Sequence, residues 1–236
     1  MGQDKQICNL LKGISNERPP LPRYCSTWDV DDVLTGIKGW GHNKDISIKG
    51  LTLKLSFLLA ITSMHRGTEL KHLKTHLINK FDQHVVFQLD TKLKNSKQGK
   101  TLPYSEFHKF KGDQNLCPVT CLEDYLQITG PWRITDNTNT EPKQLFLSHI
   151  KPHVEVSTLT ICRWIKETLS LTGVDIFTYK AHSTRAASAA KGYAMGLSID
   201  EIITKGNWSG TSTFTKFYHK PIMSSQKKFQ ETILKT

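Results

Sequence analysis

Leu51–Met64 reads LTLKLSFLLAITSM, and His65-Arg66-Gly67-Thr68-Glu69-Leu70 follows at once. A helix that is apolar on nearly every face has to be surrounded by other elements, so 51–64 is expected as the buried central helix of the fold. The polar motif after it places an arginine and a glutamate at the edge of that core, where a charge needs partners. The other elements are read outward from this axis. A second helix is expected over Gly67–His76. His84–Asp90 (HVVFQLD) alternates Val85, Phe87 and Leu89 on one face, which is a strand pattern. Thr101–Tyr104 is its expected antiparallel partner, with the lysine-rich stretch Lys92–Lys100 (KLKNSKQGK) as the hairpin loop. Pro118 suits the first turn of a helix carrying Leu122, Tyr125 and Leu126, stopped by Gly130-Pro131. Ser157 caps a helix with Leu159, Cys162, Ile165 and Leu169, ending at Gly173. His182–Met195 is alanine-rich and helical, Ser198–Glu201 is a capping box, and a last helix from near Ser212 carries Phe214, Phe217 and Tyr218. The expected fold is mainly α with a small antiparallel β-sheet at one edge (α+β). It spans 27–236, behind a tail or linker at 1–26 whose Glu17–Pro22 reads as extended. Residues 129–143 form a second loop-like stretch.

The 236 residues are 37% hydrophobic and 22% charged, enough apolar material for a core. The 32 Lys and Arg against 21 Asp and Glu give +11, an excess that suits a polyanionic partner because cations displace counterions from phosphates. Five cysteines at 8, 25, 117, 121 and 162, with no CxxC pair, fit reduced thiols better than a disulfide framework. The first residues lack the apolar core of a signal peptide, and the longest apolar run, Phe57–Ile61, is too short to span a bilayer. A soluble, intracellular protein with no membrane partner is expected.

Several chemistries are excluded by missing motifs. There is no GxxxxGK[ST] loop and so no ordinary nucleotide site, nor a GxSxG elbow. His72 and His76 have zinc-pair spacing but lack the glutamate of HExxH, and Cys117 with Cys121 has no downstream ligand pair, so no metal site is expected. What remains is a dispersed set: Arg66 and Glu69, Lys92 in the loop, His182 and Arg185 in Ala181-His-Ser-Thr-Arg185, and Trp208 and Tyr218 in Gly206–Tyr218. His182 and Arg185 at i, i+3 share a helix face. A histidine moves protons near neutrality, and a guanidinium grips phosphate oxygens with paired hydrogen bonds. A tyrosine becomes a nucleophile only when its phenolate is stabilised, which arginines, a lysine and a histidine can do. Taken singly, each residue also has a structural reading: Tyr218 and Trp208 as packing aromatics, Lys92 as one of several solvated lysines, His182 and Arg185 as helix decoration.

The order of the set carries more than its members. R-x-x-E-L after an apolar helix, a hairpin lysine, H-x-x-R, a glycine then Trp208, and a tyrosine ten residues beyond resemble the tyrosine recombinase (phage integrase) superfamily. The stretches His182–Ser188, Trp208–Tyr218 and Arg18–Asp29 are most similar to recombinases of DIRS-like retrotransposons and Crypton-like transposons. The resemblance covers about residues 18 to 222 and implies a recombinase catalytic-domain fold. It implies that Arg66, His182 and Arg185 bind and polarise a scissile phosphate and that Lys92 protonates the leaving 5′ oxygen, with Lys94 an alternative for that role. By the same resemblance Trp208 would take a place often held by a second histidine, Glu69 would buttress the first arginine region, and Tyr218 would form a 3′-phosphotyrosyl bond. Lys94, Lys97, Lys100 and Lys216 would add contacts to DNA. The implied partners are double-stranded DNA and further copies of the chain on it, in the nucleus, with no nucleotide, metal or other cofactor. Asn207 departs from the pattern, standing between the glycine and Trp208. The core-binding domain that normally precedes this catalytic domain is expected to be absent here. A catalytically silent DNA-binding remnant and a type IB topoisomerase-like activity are the alternatives.

Overall fold

The computed structural model describes residues 4–18, 24–91, 104–133, 142–208, 210–211, 214–215, 218–222 and 232–234. Eight α-helices appear among them: α1 (Lys5–Glu17), α2 (Val30–Lys38), α3 (Ile48–Ser63), α4 (Gly67–Lys71), α5 (Pro118–Thr129), α6 (Thr158–Leu171), α7 (Ser183–Ala194) and α8 (Ile199–Lys205). Three strands, β1 (Ile78–Lys80), β2 (His84–Gln88) and β3 (Tyr104–His108), form one antiparallel sheet in that order. The mainly helical fold with a small edge sheet is therefore the one expected.

α3 is the axis. Every residue from 51 to 61 is buried, because α5, α6 and α7 all pack against it. Ser47 caps its start by accepting from the Gly50 amide at 3.2 Å. Polar groups in the core are matched rather than excluded: Thr168 Oγ1 donates to the Leu53 carbonyl at 3.3 Å and Ser188 Oγ to the Ile61 carbonyl at 2.8 Å. Lys54 lies wholly inside this helix and reaches the Gly41 carbonyl at 3.3 Å, and desolvation holds its ammonium below the usual lysine range.

The chain leaves α3 through Met64, whose backbone is left-handed (φ 56°) and turns Arg66 into the N-cap of α4. α4 stops at Lys71 instead of running to His76. The reason is a competing use of the backbone: the Leu73 carbonyl accepts from Leu145 at 2.7 Å, and the Thr75 amide donates to Lys143 at 2.8 Å. His72 and His76 consequently do not share a helix face. Gly67 lets α4 approach α6, for a Cβ there would sit 2.5 Å from Cys162 Sγ.

β2 lies where expected, and its partner lies a few residues later than expected. β3 begins at Tyr104, opposite Gln88, and ends at His108, opposite His84. That register turns Ser105 and Phe107 inward, with Phe107 edge-on to Phe87 at 6.0 Å between ring centres. Residues 101–103 and the loop with Lys92 lie outside the described residues. β1 was not anticipated; three residues carry too little periodicity to read.

Residues 1–26, expected as a tail or linker, include a helix, and the domain expected from residue 27 is pinned at its start. α1 is a regular helix capped by Asp4, with no buried residue. Further on, Thr27 forms a parallel bridge with Ile222, and Trp28 Nε1 donates to Ser183 Oγ at 2.9 Å. These bonds tie both ends of the described core to the start of α7.

Candidate active site

The site grows from three chain turns that meet at the C-terminal end of α3. The first is the α3–α4 turn. Arg66 and Glu69 form a reciprocal cap: Glu69 accepts from the Arg66 amide at 2.6 Å and from its Nη1 at 2.8 Å. Glu69 is 5% exposed, so its charge is compensated inside the fold.

The second turn is the start of α7. Arg185 is 2% exposed, and its fork donates to the Met64 carbonyl and, at 2.7 Å, to the Gly206 carbonyl. Its Nη1 stands 3.8 Å from Glu69, which thereby serves both arginines. Desolvation, and then the neighbouring Arg66 charge, push the Arg185 guanidinium below the usual arginine range; Glu69 and Tyr218 oppose that. His182 is one turn earlier, and its Nε2 meets the Tyr24 hydroxyl at 3.3 Å.

The third turn follows α8. Asn207 has φ 49°, the left-handed region that asparagine tolerates, and this extra residue lets the chain reverse between Gly206 and Trp208. The Trp208 ring lies directly on Gly206, where a Cβ would meet it at 2.4 Å. The residue between Gly206 and Trp208 is thus accommodated by a single unusual but accessible backbone conformation. Met64, Ala189, Ile202, Trp208 and Phe214 form a small second core, and Tyr218 packs against it. Tyr218 is held by its amide donating to the Phe214 carbonyl at 2.8 Å. The Arg185 guanidinium carbon is 4.9 Å from the Trp208 ring centre and 5.6 Å from that of Tyr218.

Arg66, Glu69, Arg185, Trp208 and Tyr218 are therefore one connected cluster, and His182 stands one helical turn away beside Tyr24. Lys92, Lys94, Lys97, Lys100 and Lys216 lie outside the described residues. Among the described residues, Arg185 Nε and Trp208 Nε1 are buried without a hydrogen-bond partner. Two arginines sharing the single Glu69 carboxylate leave the cluster with an excess of positive charge, which suits an anionic ligand.

Sequence reasoning passed over His65. Its Nε2 meets Ser105 Oγ of β3 at 2.5 Å and its Nδ1 lies 3.6 Å from Glu69. Burial lowers its pKa to about 4 against the pull of Glu69, with Arg185, Lys205 and Arg66 reinforcing the drop. It is a neutral link between the sheet and the Glu69 carboxylate at neutral pH. Nothing in its sequence context marks it, since its partner Ser105 is 40 residues away. Tyr24 and Trp28 were also passed over as site neighbours, although both lie in the Arg18–Asp29 stretch. An apolar cavity of about 650 Å³ between α2, α3 and β3 contains none of the cluster residues.

Solved structures similar to this one include tyrosine recombinases. XerA recombinase aligns over 94% of this chain and 68% of its own, at a TM-score of 0.58 and 16% identity. XerH recombinase, bound to its difH substrate before cleavage, aligns over 89% of this chain and 55% of its own (TM-score 0.57, 9% identity). Lambda integrase, as a dimer on a COC′ core site, aligns over 91% of this chain and 70% of its own (TM-score 0.51, 13% identity). The fold is that of a tyrosine recombinase catalytic domain. The chain spans about half to two thirds of the length of these proteins. No protein-family model matches the sequence, and no curated protein matches it.

Proposed function

We propose that this chain is a tyrosine recombinase catalytic domain that cuts and rejoins duplex DNA through a 3′-phosphotyrosyl bond on Tyr218. The observation that carries the reading is the Arg185 guanidinium, packed against the Tyr218 ring at 5.6 Å and sharing Glu69 with Arg66. In this mechanism Tyr218 Oη attacks the scissile phosphorus and the bond to the 5′ oxygen breaks. Arg66 and Arg185 balance the charge of the pentavalent phosphate. His182 handles the tyrosine proton, and Lys92 (or Lys94) protonates the leaving oxygen. A 5′ hydroxyl later reverses the step, so the phosphotyrosyl bond conserves the phosphodiester energy and the chemistry calls for no nucleotide.

XerH and lambda integrase are described on their DNA sites, and double-stranded DNA is the partner this reading gives the present chain. The +11 balance supports it. Strand exchange further requires several copies of the chain on two duplexes. The Crypton- and DIRS-like motif stretches support service in a mobile element acting in a nucleus. Among the described residues no helix is long and apolar enough to cross a membrane.

A duplex nicked just past the scissile site tests the chemistry, because loss of the short fragment traps the intermediate. The expected result is a covalent adduct mapped to Tyr218, with Tyr218→Phe binding the duplex but forming none. An adduct on Tyr193 or Ser188 would overturn the assignment, and well-bound substrates without any adduct would point to a silent remnant.

A further inference from the structure

On the outer face of the sheet, opposite the side that meets His65, three potential ligands stand together. We propose that His84, Glu106 and His108 form a binding site for a divalent transition-metal ion of the zinc class. The register creates the set. His84 pairs with His108 across β2 and β3, and Glu106 lies two residues before His108 on the same face. Glu106 Oε1 is 3.1 Å from His108 Nε2 and 3.6 Å from His84 Nε2, and one donor atom from each residue lies within 4.8 Å of the others. Ligands about 2.0–2.1 Å from a tetrahedral zinc ion are separated by roughly 3.3 Å. Two of the three edges are therefore near their bound length, and the third closes by side-chain rotation.

The donor set selects the ion. Two imidazoles and one carboxylate suit zinc, cobalt or nickel, whereas magnesium and calcium prefer all-oxygen sites. Phe81 stacks on the His84 ring at 4.5 Å and limits its rotation. His108 is exposed, which opens the site to the ion and leaves a fourth position for water. A metal here would join β2 to β3 at the end of the pair opposite the 89–103 connection, while the inward Ser105 keeps its contact with His65. The site is separate from the Arg66–Tyr218 cluster, so its failure leaves the recombinase reading untouched.

The test uses the metal-depleted 236-residue chain titrated with zinc and, separately, cobalt. One equivalent should bind, and melting should rise by roughly 5–10 °C at about 100 times the dissociation constant. The cobalt complex should show tetrahedral ligand-field bands without thiolate charge-transfer absorption, which excludes the cysteines. The His84→Asn/His108→Asn variant should melt like the metal-free parent and gain nothing from zinc. Undiminished binding by that variant, thiolate absorption, or no binding would each overturn the proposal. If that variant does not fold, diethyl pyrocarbonate labelling of the parent decides: zinc should protect His84 and His108, and unchanged labelling sinks the site.

Discussion

The two arginines and Tyr218 belong to one cluster, but they are held by different means. Arg66 and Arg185 sit at the starts of α4 and α7, where Glu69 and the Met64 and Gly206 carbonyls fix them. Tyr218 is partly buried on a short turn, supported by Trp208 and Phe214 from the small second core and by the Thr27–Ile222 bridge beyond it. For the proposed phosphate-transfer reaction, the difference would give a preorganised anion-binding half and a separately supported tyrosine. It also separates stability from reactivity, since damage to the first half should cost both and damage to the second mainly one.

The largest effect is expected from the residue that joins the halves. Arg185→Ala removes the partner of the Met64 and Gly206 carbonyls and leaves Glu69 with Arg66 alone in a buried setting. Urea unfolding should show a loss of about 4 kcal/mol, and adduct formation should vanish. A loss below about 1 kcal/mol with the adduct retained would mean that Arg185 is not the shared anchor.

Phe214→Ala should separate the halves. The ring is fully buried, but in the satellite cluster rather than around α3. A cavity there should cost about 3 kcal/mol locally. Native-state hydrogen exchange should show faster exchange at the Tyr218 and His219 amides, which donate to the Phe214 carbonyl, while amides of α3 keep their protection. Equal loss of protection in α3 would show that the two cores unfold as one unit and would remove the contrast drawn above.

What could be read in the sequence follows the range of the interactions involved. α3 shows as an unbroken apolar run, and the starts of α5, α6 and α8 show as Pro118, Ser157 and the Ser198–Glu201 box, because each signal acts within one turn. Of the motif residues Arg66, Glu69, His182, Arg185, Trp208 and Tyr218, all but His182 are linked side chain to side chain, and His182 stands beside Tyr24. The end of α4 was not legible, because it is set by pairing with 143–145, about seventy residues later. The fold-back of Trp28 onto Ser183 and the bond from His65 to Ser105 are equally non-local. The metal-like trio was invisible for another reason: His84 and His108 become neighbours only because β3 runs over Tyr104–His108 rather than the expected Thr101–Tyr104.

The smallest effect concerns His65 and the first half of the comparison. Its folded pKa of about 4 lies below the ordinary histidine value of 6.5, so the fold favours the neutral ring. Between these values the unfolded chain binds the proton and the native chain does not, and stability must fall as pH falls through that window. From pH 7.5 to pH 5 the loss should be about 2 kcal/mol, at 1.36 kcal/mol per unit below the unfolded pKa. The groups facing the ring explain the sign: Glu69 favours the charged form, but burial outweighs it, and Arg185, Arg66 and Lys205 add repulsion. Other histidines titrate in the same range, so the quantity to measure is the difference between parent and His65→Asn in urea-unfolding profiles. That substitution keeps a polar group near Ser105 and removes the titration, and the variant should therefore lose the extra slope between pH 6.5 and 4. Parallel profiles would mean that His65 is solvated or protonated in the fold, and the sheet would then have no neutral link to Glu69. A variant that loses the slope but keeps adduct formation at pH 7.5 would place His65 among the groups that position Glu69 rather than among those that touch the phosphate.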